Sequence, residues 1–417
     1  MSATGDVHDR LLADRCLRDM QAGSSGLAEM WATITSRARQ PGNVDLCQGY
    51  PDFEGSAVAR KSAADAIGRG DPVLNGYAPQ TGLPSLVAAL ARLDKDLYGP
   101  PPHAQGHLIT TSGTEAIFAA CMAVLNPGDR CVFLEPSFPW YTPAIKAAGG
   151  VPVPVRLHPP SFAIDAAALR GALEGAKMLI VNSPHNPTGH VLSESELESI
   201  RECAVAADVA VLSDEAYAMQ AWGAEHVPLA YLPGMGERTL TLGTASKLLS
   251  LTGWRVGWLA GPPRMLQAAQ RMHAYATFCA PTPLQHGTAA ALADAGLRAE
   301  CATVCALMQR NAQAMADALS GALGMEVLAP KGGYFVVARA AGEDDLALCA
   351  ALLEEAGVGG APMRAFYADP AEAPKDMIRI AICKREATIA EAARRIVDAA
   401  PRIEARLKAV RRQDGLT

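Results

Sequence analysis

At 417 residues, half of them hydrophobic and 19% charged, the chain has the composition of a soluble globular protein of two or three domains, at about 150 residues each. Its formal charge of −6 argues against nucleic acid or an anionic membrane surface as partner, since neither is attracted to a mildly acidic protein. Small-molecule chemistry is the expectation that remains.

The first six residues, Met1 to Asp6, carry acid where a signal peptide needs base, and no apolar run follows them. No stretch reaches the roughly 18 apolar residues of a membrane span, so a cytoplasmic location is expected. The ten cysteines are scattered from Cys16 to Cys383 without a Cys-x-x-Cys pair. They predict buried free thiols rather than a disulfide framework or a metal site.

From about residue 82 to 260, amphipathic stretches alternate with short apolar runs bounded by Gly, Pro, Asn and Asp, the pattern of βαβ units. Leu83, Leu86, Leu90, Leu93 and Leu97 share one helical face. The apolar run His107–Thr111 predicts a strand, and Ser112-Gly113-Thr114 follows it at the start of a helix. Free N–H groups and the helix dipole attract a phosphate there, although Ser and Thr are also ordinary N-caps. A second strand, Cys131–Leu134, leads to Phe138 and Tyr141; aromatics in that place can stack on a flat ring or simply fill the core.

A third strand, Met178–Val181, is followed by His185-Asn186-Pro187-Thr188-Gly189. This is a turn sequence whose Asn186 amide, at a strand end, can reach a ligand; His185 reads as a turn residue. Ser193 and Glu196 form a capping box. The strand Ala210–Leu212 then delivers Asp214, with Tyr217 three residues on. Asp214 can be a helix N-cap or the acid that protonates a pyridine nitrogen, and the Tyr217 hydroxyl can serve a phenolic oxygen.

The strand Thr239–Leu242 precedes Thr244-Ala245-Ser246-Lys247, with Arg255 eight residues after the lysine. A lysine is most often a solvated surface group. A small-residue, apolar surrounding at a strand end instead suits a Schiff-base lysine, with Arg255 and the Thr244 hydroxyl holding a cofactor phosphate. After residue 300 the pattern changes to long helices over Cys301–Leu319 and Glu386–Val410, with strands at Tyr334–Val337 and Met377–Ile382. Arg379 lies inside the last strand, where an unpaired guanidinium is costly to bury. A substrate carboxylate or an internal salt bridge would satisfy it.

These pieces, in this order, resemble the class I aminotransferases of fold type I, the aspartate-aminotransferase-like enzymes that use pyridoxal 5'-phosphate (PLP). The resemblance spans about residues 43–397. It is carried by Val44 to Phe53, Asn75-Gly76-Tyr77-Ala78-Pro79, Ser112 to Ala116, Asn186 to Gly189, Asp214 to Tyr217, Lys247 through Arg255, and Met377 to Ile380. It implies an α/β fold with a mostly parallel seven-stranded sheet in a large PLP-binding domain over 49–297. Residues 298–417 would form a smaller α+β domain, to which the N-terminal arm and its continuation over 1–48 contribute. Lys247 would bind PLP and then move the proton between the substrate α-carbon and the cofactor. Asp214 would hold the pyridinium proton, Phe138 would stack on the ring, and Asn186 with Tyr217 would contact its phenolic oxygen. Ser112, Gly113, Thr114, Thr244 and Arg255 would surround the phosphate. Tyr77 would reach the phosphate of a neighbouring subunit, which implies a homodimer. Arg379 would clamp the substrate carboxylate with Gly49 and Asn186.

The stretch Gln48 to Phe53 is similar to the branch of kynurenine, glutamine and methionine aminotransferases, which implies a bulky or flexible amino acid and a 2-oxo acid as substrates. Three departures bear on the substrate: Tyr50 where phenylalanine is usual, Thr244 where serine is commoner, and Phe278-Cys279-Ala280 in the pocket segment. The same cofactor also serves β-elimination or a specialised biosynthetic reaction. A non-catalytic PLP-sensing regulator would need a DNA-binding domain, and no basic cluster or helix-turn-helix pattern precedes residue 43. A dinucleotide dehydrogenase would need Gly-x-Gly-x-x-Gly after a strand, which is missing.

Overall fold

The computed structural model describes residues 27–101 and 106–413; the part of the expected N-terminal arm before residue 27 lies outside the described residues. A helix, Leu27–Ala38, leads to the short strand β1 (Val44–Asp45). Seven strands then build the main sheet: β2 (Gly106–Thr110), β3 (Arg130–Glu135), β4 (Val151–Arg156), β5 (Ala176–Asn182), β6 (Ala210–Asp214), β7 (Thr239–Thr244) and β8 (Gly257–Gly261). Their spatial order is β2-β8-β7-β6-β5-β3-β4. Only β8 runs against its neighbours, so this is the mostly parallel seven-stranded α/β sheet that the resemblance implies.

Central strands such as β5 and β6 are apolar throughout because helices cover both faces; Met178, Leu179, Ile180 and Val181 are all buried. Each expected strand is present, and the capping box of Ser193 and Glu196 forms as read. Two strands escape a reading by pattern. The sequence Val-Pro-Val-Pro-Val-Arg of β4 contains two prolines, which argue against a strand except at an edge. β4 pairs only with β3 and is that edge. β8 begins and ends in glycine, a turn signal that tertiary packing overrides.

The second sheet is antiparallel, in the order β12 (Ala361–Pro362), β13 (Met377–Ala381), β10 (Phe335–Arg339), β9 (Glu326–Leu328). The helices Leu297–Leu323 and Glu386–Gln413 cover it. One apolar cluster joins this region to the N-terminal segment: Ile34, Val44 and Leu46 pack with Met315, Ile380, Ile396 and Leu407. β1 also pairs in parallel with β11 (Val358–Gly359). Residues 46–52 are thereby carried from the second sheet to the C-terminal ends of the first. Among the described residues no helix is long and apolar enough to cross a membrane.

Candidate active site

The parallel strands β2, β3, β5, β6 and β7 all point their C-terminal ends at one cavity of about 480 Å³, where ligands collect in open α/β sheets and which is large enough for a cofactor and a small substrate. β7 ends at Thr244, whose Oγ1 accepts from the Ser246 N–H at 3.1 Å and donates to the Val256 carbonyl at 3.1 Å. That cap starts the one-turn helix Ala245–Leu248 and turns Lys247 into the cavity. Lys247 Nζ donates to the Gly49 carbonyl at 2.6 Å and stands 5.7 and 5.2 Å from the ring centres of Tyr217 and Tyr334. Loss of solvation pulls its ammonium down to about 8. The bond to Gly49 needs a bare backbone at that position, since a Cβ there would lie 2.4 Å from Phe335 Cζ.

Asp214 closes β6 at the far side of the cavity and is buried. Burial pushes its carboxyl up to about 6, against the pull of its hydrogen bonds. Tyr141 donates its hydroxyl to Oδ2 at 2.6 Å, and the Ala216 N–H reaches Oδ1 at 3.2 Å. Asn182, passed over in the sequence, ties the loops after β5 and β6: its Nδ2 donates to the Asp214 carbonyl at 2.8 Å and its Oδ1 accepts from the Asn186 N–H at 2.7 Å. Phe138 also faces the cavity, edge-on to Tyr141 at 5.7 Å.

Gly113, Thr114, Ser246 and Arg255 line one end of the cavity, a cup of hydrogen-bond donors at the N-terminus of the helix Gly113–Val124, where the helix dipole favours an anion. Ser112, which precedes it, is committed as the N-cap: it has φ 101°, and its Oγ accepts from the Glu115 N–H at 3.2 Å. The cup is compact because Gly257 packs beneath it, where a Cβ would meet the Ser112 carbonyl carbon at 2.5 Å. Among the described residues, Arg255 has only the Thr252 carbonyl as a hydrogen-bond partner, at 3.1 Å. Ser246 Oγ is buried with no partner among the described residues, a donor that a phosphate oxygen would satisfy.

Arg379, central in β13, is buried between aromatic faces, with its guanidinium carbon 3.9 Å from the Phe335 ring centre and 4.3 Å from that of Phe366. Nη1 donates to Asn186 Oδ1 at 3.0 Å and Nη2 to the Cys47 carbonyl at 2.5 Å, while Nε has no partner among the described residues. These bonds are to neutral oxygens, and among the described residues it makes no salt bridge with a carboxylate. Burial still pulls its pKa down to about 10, offset only in part by nearby groups such as Asp45, and an incoming carboxylate would offset more of it.

Of the residues singled out in the sequence, Gly49, Gly113, Thr114, Phe138, Asn186, Asp214, Tyr217, Thr244, Lys247, Arg255 and Arg379 all line this cavity. Tyr77 does not. It is 85% exposed and meets Phe278 edge-on at 5.1 Å. His185 is buried against Thr188 Oγ1 at 2.7 Å, and desolvation holds it neutral, down to about 3, as befits a turn residue. Tyr141, Asn182, Ser246, Phe335 and Phe366 were not read as polar or carboxylate-side members of the site, because nothing in local spacing distinguishes them from core residues.

The arrangement sets an amine, a cup of hydrogen-bond donors and a buried carboxylate around one cavity, with a desolvated guanidinium alongside. The family model described as "Aminotransferase class I and II" matches residues 41–396. A probable N-succinyldiaminopimelate aminotransferase of Mycobacterium tuberculosis is 37% identical over 386 residues, covering 88% of this chain and 95% of that protein. Methionine aminotransferase of Escherichia coli is 32% identical over 376 residues, covering 88% and 95%. Among solved structures, a single mutant of Thermus thermophilus aspartate aminotransferase superposes with a TM-score of 0.82 at 28% identity, over 93% of this chain and 99% of that one.

Proposed function

Since this chain belongs to the class I and II aminotransferases, we propose that it moves the amino group of a bulky or flexible L-amino acid to a 2-oxo acid, with PLP held on Lys247. The observation that carries this reading is the convergence on one cavity of Lys247, the unpartnered Ser246 hydroxyl beside Arg255, and an Arg379 without a carboxylate partner. The residues present fit the cofactor's three ends. Gly113, Thr114, Ser246 and Arg255 would hold its phosphate, Asp214 its ring nitrogen, and Phe138 its face. When bound, PLP supplies a carbonyl that joins to an amine and a protonated ring that accepts electrons from the α-carbon.

The protein's own residues do the rest. Arg379 and Asn186 bind the substrate α-carboxylate in a dry setting made by Phe335 and Phe366, and so fix which α-carbon bond faces the ring. Lys247, as a free amine, would take the proton from that carbon and hand it on to the cofactor; its depressed pKa keeps a useful fraction deprotonated near neutrality. Asn182 and Tyr141 hold Asn186 and Asp214 in place. Lys247, Arg255 and Arg379 are the cations among the described cavity residues, and all three are engaged by these roles. The remaining wall, with Tyr50, Trp140 and Phe366, suits an uncharged side chain. Relatives named for N-succinyldiaminopimelate and methionine support an extended one.

The exposed Tyr77 has no role in its own cavity, which supports a homodimer in which it completes the phosphate site of the other subunit. In this reading residues 49–297 are the cofactor domain, and 298–417 with the segment before 49 are the smaller one. All nine cysteines among the described residues are unpaired, which supports a reducing compartment such as the cytoplasm. The test is an absorbance titration of the PLP-loaded protein with single L-amino acids and no acceptor. Loss of the visible cofactor band with bulky or flexible donors, restored by a 2-oxo acid, is expected. Release of pyruvate and ammonia without need of an acceptor would replace this reading with β-elimination.

A further inference from the structure

Tyr50 stands between two cavities. Beside the active-site cavity lies a second one of about 420 Å³, lined by polar side chains that include Arg39, Asn43, Asp45, Asp52, Lys384 and Thr388. Among the described residues, Tyr50 alone lines both. Its ring is held from several directions. The hydroxyl donates to Asp45 Oδ2 at 3.1 Å. Lys384 Nζ sits 3.5 Å from the ring centre and donates to the Tyr50 carbonyl at 2.9 Å. Asp45 is fixed in turn, because its Oδ1 accepts from the Cys47 N–H at 2.9 Å.

Lys384 has only 2% of its surface exposed, which is an expensive place for an ammonium unless its contacts compensate. Among the described residues its Nζ hydrogen-bonds the Tyr50 carbonyl and lies over the Tyr50 ring, while its backbone is held by Asn311 and Ile382. Three residues further back on the same chain segment is Ala381, whose N–H binds the Leu46 carbonyl at 2.8 Å. On the far side of Lys384, the Arg385 N–H and Thr388 Oγ1 bind the two oxygens of Asp52 at 2.5 and 2.6 Å. The backbone on both sides of Tyr50 is thus pinned to the same C-terminal segment, and the ring cannot swing aside without losing its hydroxyl bond to Asp45 and its contact with Lys384.

We propose that Tyr50 is a specificity-determining wall, whose ring limits the length of the substrate side chain by closing the active-site cavity off from the polar cavity behind it, and that Lys384 and Asp45 are the positioning residues that keep it closed. This rests on the aminotransferase reading above, with the α-carboxylate on Arg379. Without the ring the two cavities become continuous, and a side chain too large for the first can extend into the second.

The experiment uses the PLP-loaded protein and two unreactive carboxylates, 4-methylpentanoate and 3-(indol-3-yl)propionate, each titrated against the visible cofactor band to give a Kd. Tyr50→Ala is expected to shift the ratio of the two affinities towards the indole compound by about tenfold, the scale on which a hydrophobic pocket discriminates size. Tyr50→Leu moves the ratio the same way by less and serves if the alanine variant folds poorly. Lys384→Met keeps the stem and loses the charge; it is expected to move the ratio in the same direction by about fivefold or less, with Lys384→Arg returning it. A merely structural lysine would lower thermal stability without moving this ratio. Binding of both carboxylates to the wild type with an unmoved ratio in both Tyr50 variants overturns the inference alone. A wild type that loads PLP and binds neither carboxylate overturns it together with the substrate-site reading. A ratio that moves in the Tyr50 variants but not in Lys384→Met removes the positioning role of Lys384.

Discussion

Replacing Tyr141 by phenylalanine takes one oxygen atom from the site and leaves its packing. That oxygen donates to Asp214 Oδ2 at 2.6 Å in a buried setting. A hydrogen bond to a charged group contributes about 1.5–3 kcal/mol, and one pKa unit corresponds to about 1.36 kcal/mol, so the loss is expected to raise the Asp214 pKa by about 1–2 units. The wild-type carboxyl already sits at about 6 because burial disfavours its charged form. A folded value above the unfolded one means that the native cofactor-free protein keeps a proton which the unfolded chain has lost. Its stability therefore falls as pH rises from the ordinary carboxylate range to about 6 and is level above that. An ionised Asp214 is expected to strengthen PLP binding by pairing with the ring nitrogen, while the phosphate and Lys247 contacts hold the cofactor even without it; wild-type affinity is therefore expected to climb as pH passes about 6, and in Tyr141→Phe the climb is displaced upward by about 1–2 units. The assay is the Kd of pyridoxal phosphate across weakly acidic to weakly alkaline buffers for both proteins; the titrations of the free ligand are common to both and cancel in the comparison. Coincident pH curves would refute the assignment of Tyr141 as the hydrogen bond that keeps Asp214 charged.

Lys247→Ala is expected to abolish transamination while leaving the thermal melting transition close to wild type, and substantial turnover would remove the central claim. In the wild type, the Lys247 ammonium lies at about 8, below its ordinary value, so the rate at which added PLP develops its visible band is expected to rise up to about pH 8 and level off above it; a rate that kept climbing into the ordinary lysine range would place the amine in water. Arg379→Lys keeps the charge but loses the planar fork, and a loss of about 1.5–3 kcal/mol, roughly ten- to hundredfold in kcat/KM, is expected to fall on KM rather than kcat in steady-state assays. Asp214→Ala is expected to retain cofactor yet lose most of the rate, because a neutral pyridine is a poor electron sink; single-turnover spectra measure it. Finally, mixing Tyr77→Ala with Lys247→Ala protein under conditions of subunit exchange is expected to restore activity that neither possesses alone, since one site of the hybrid has both residues.

How far these groups can be found without coordinates depends on what kind of signal each leaves in the chain. Lys247, Asp214, Asn186 and Gly113 sit where an apolar run stops, and because β5, β6 and β7 are parallel, every such stop falls on the same side of the sheet. The site was legible for that reason. Arg379 was legible for the opposite one, being a charge within an otherwise apolar strand. Tyr141, Asn182 and Ser246 leave no comparable mark: Tyr141 meets Asp214 across 73 residues of chain, Asn182 meets Asp214 across 32 and Asn186 across 4, and the Ser246 hydroxyl stands out only by having no partner among the described residues. Phe335 and Phe366 read as core hydrophobes and are also the faces between which a guanidinium is held. Ser112 shows the limit of a motif: its place beside the cup of donors is as expected, yet its hydroxyl is used to cap the helix. β4 and β8 were illegible for local reasons, proline and glycine content, that only their positions in the sheet resolve.

The prolines of β4 have a further consequence. Val151 and Leu157 turn their N–H groups inward, to the carbonyls of Asp129 and Glu135, so by alternation the outward positions are 152, 154 and 156. Two of these are proline and the third is arginine. A strand from another molecule arriving at this margin would find a donor at only one place, guarded by a charge. The end of a seven-stranded sheet, which would otherwise act as a template for ribbon-to-ribbon aggregation at high concentration, is closed to it by three side chains, and replacing Pro152 and Pro154 would lower the protein concentration at which it precipitates.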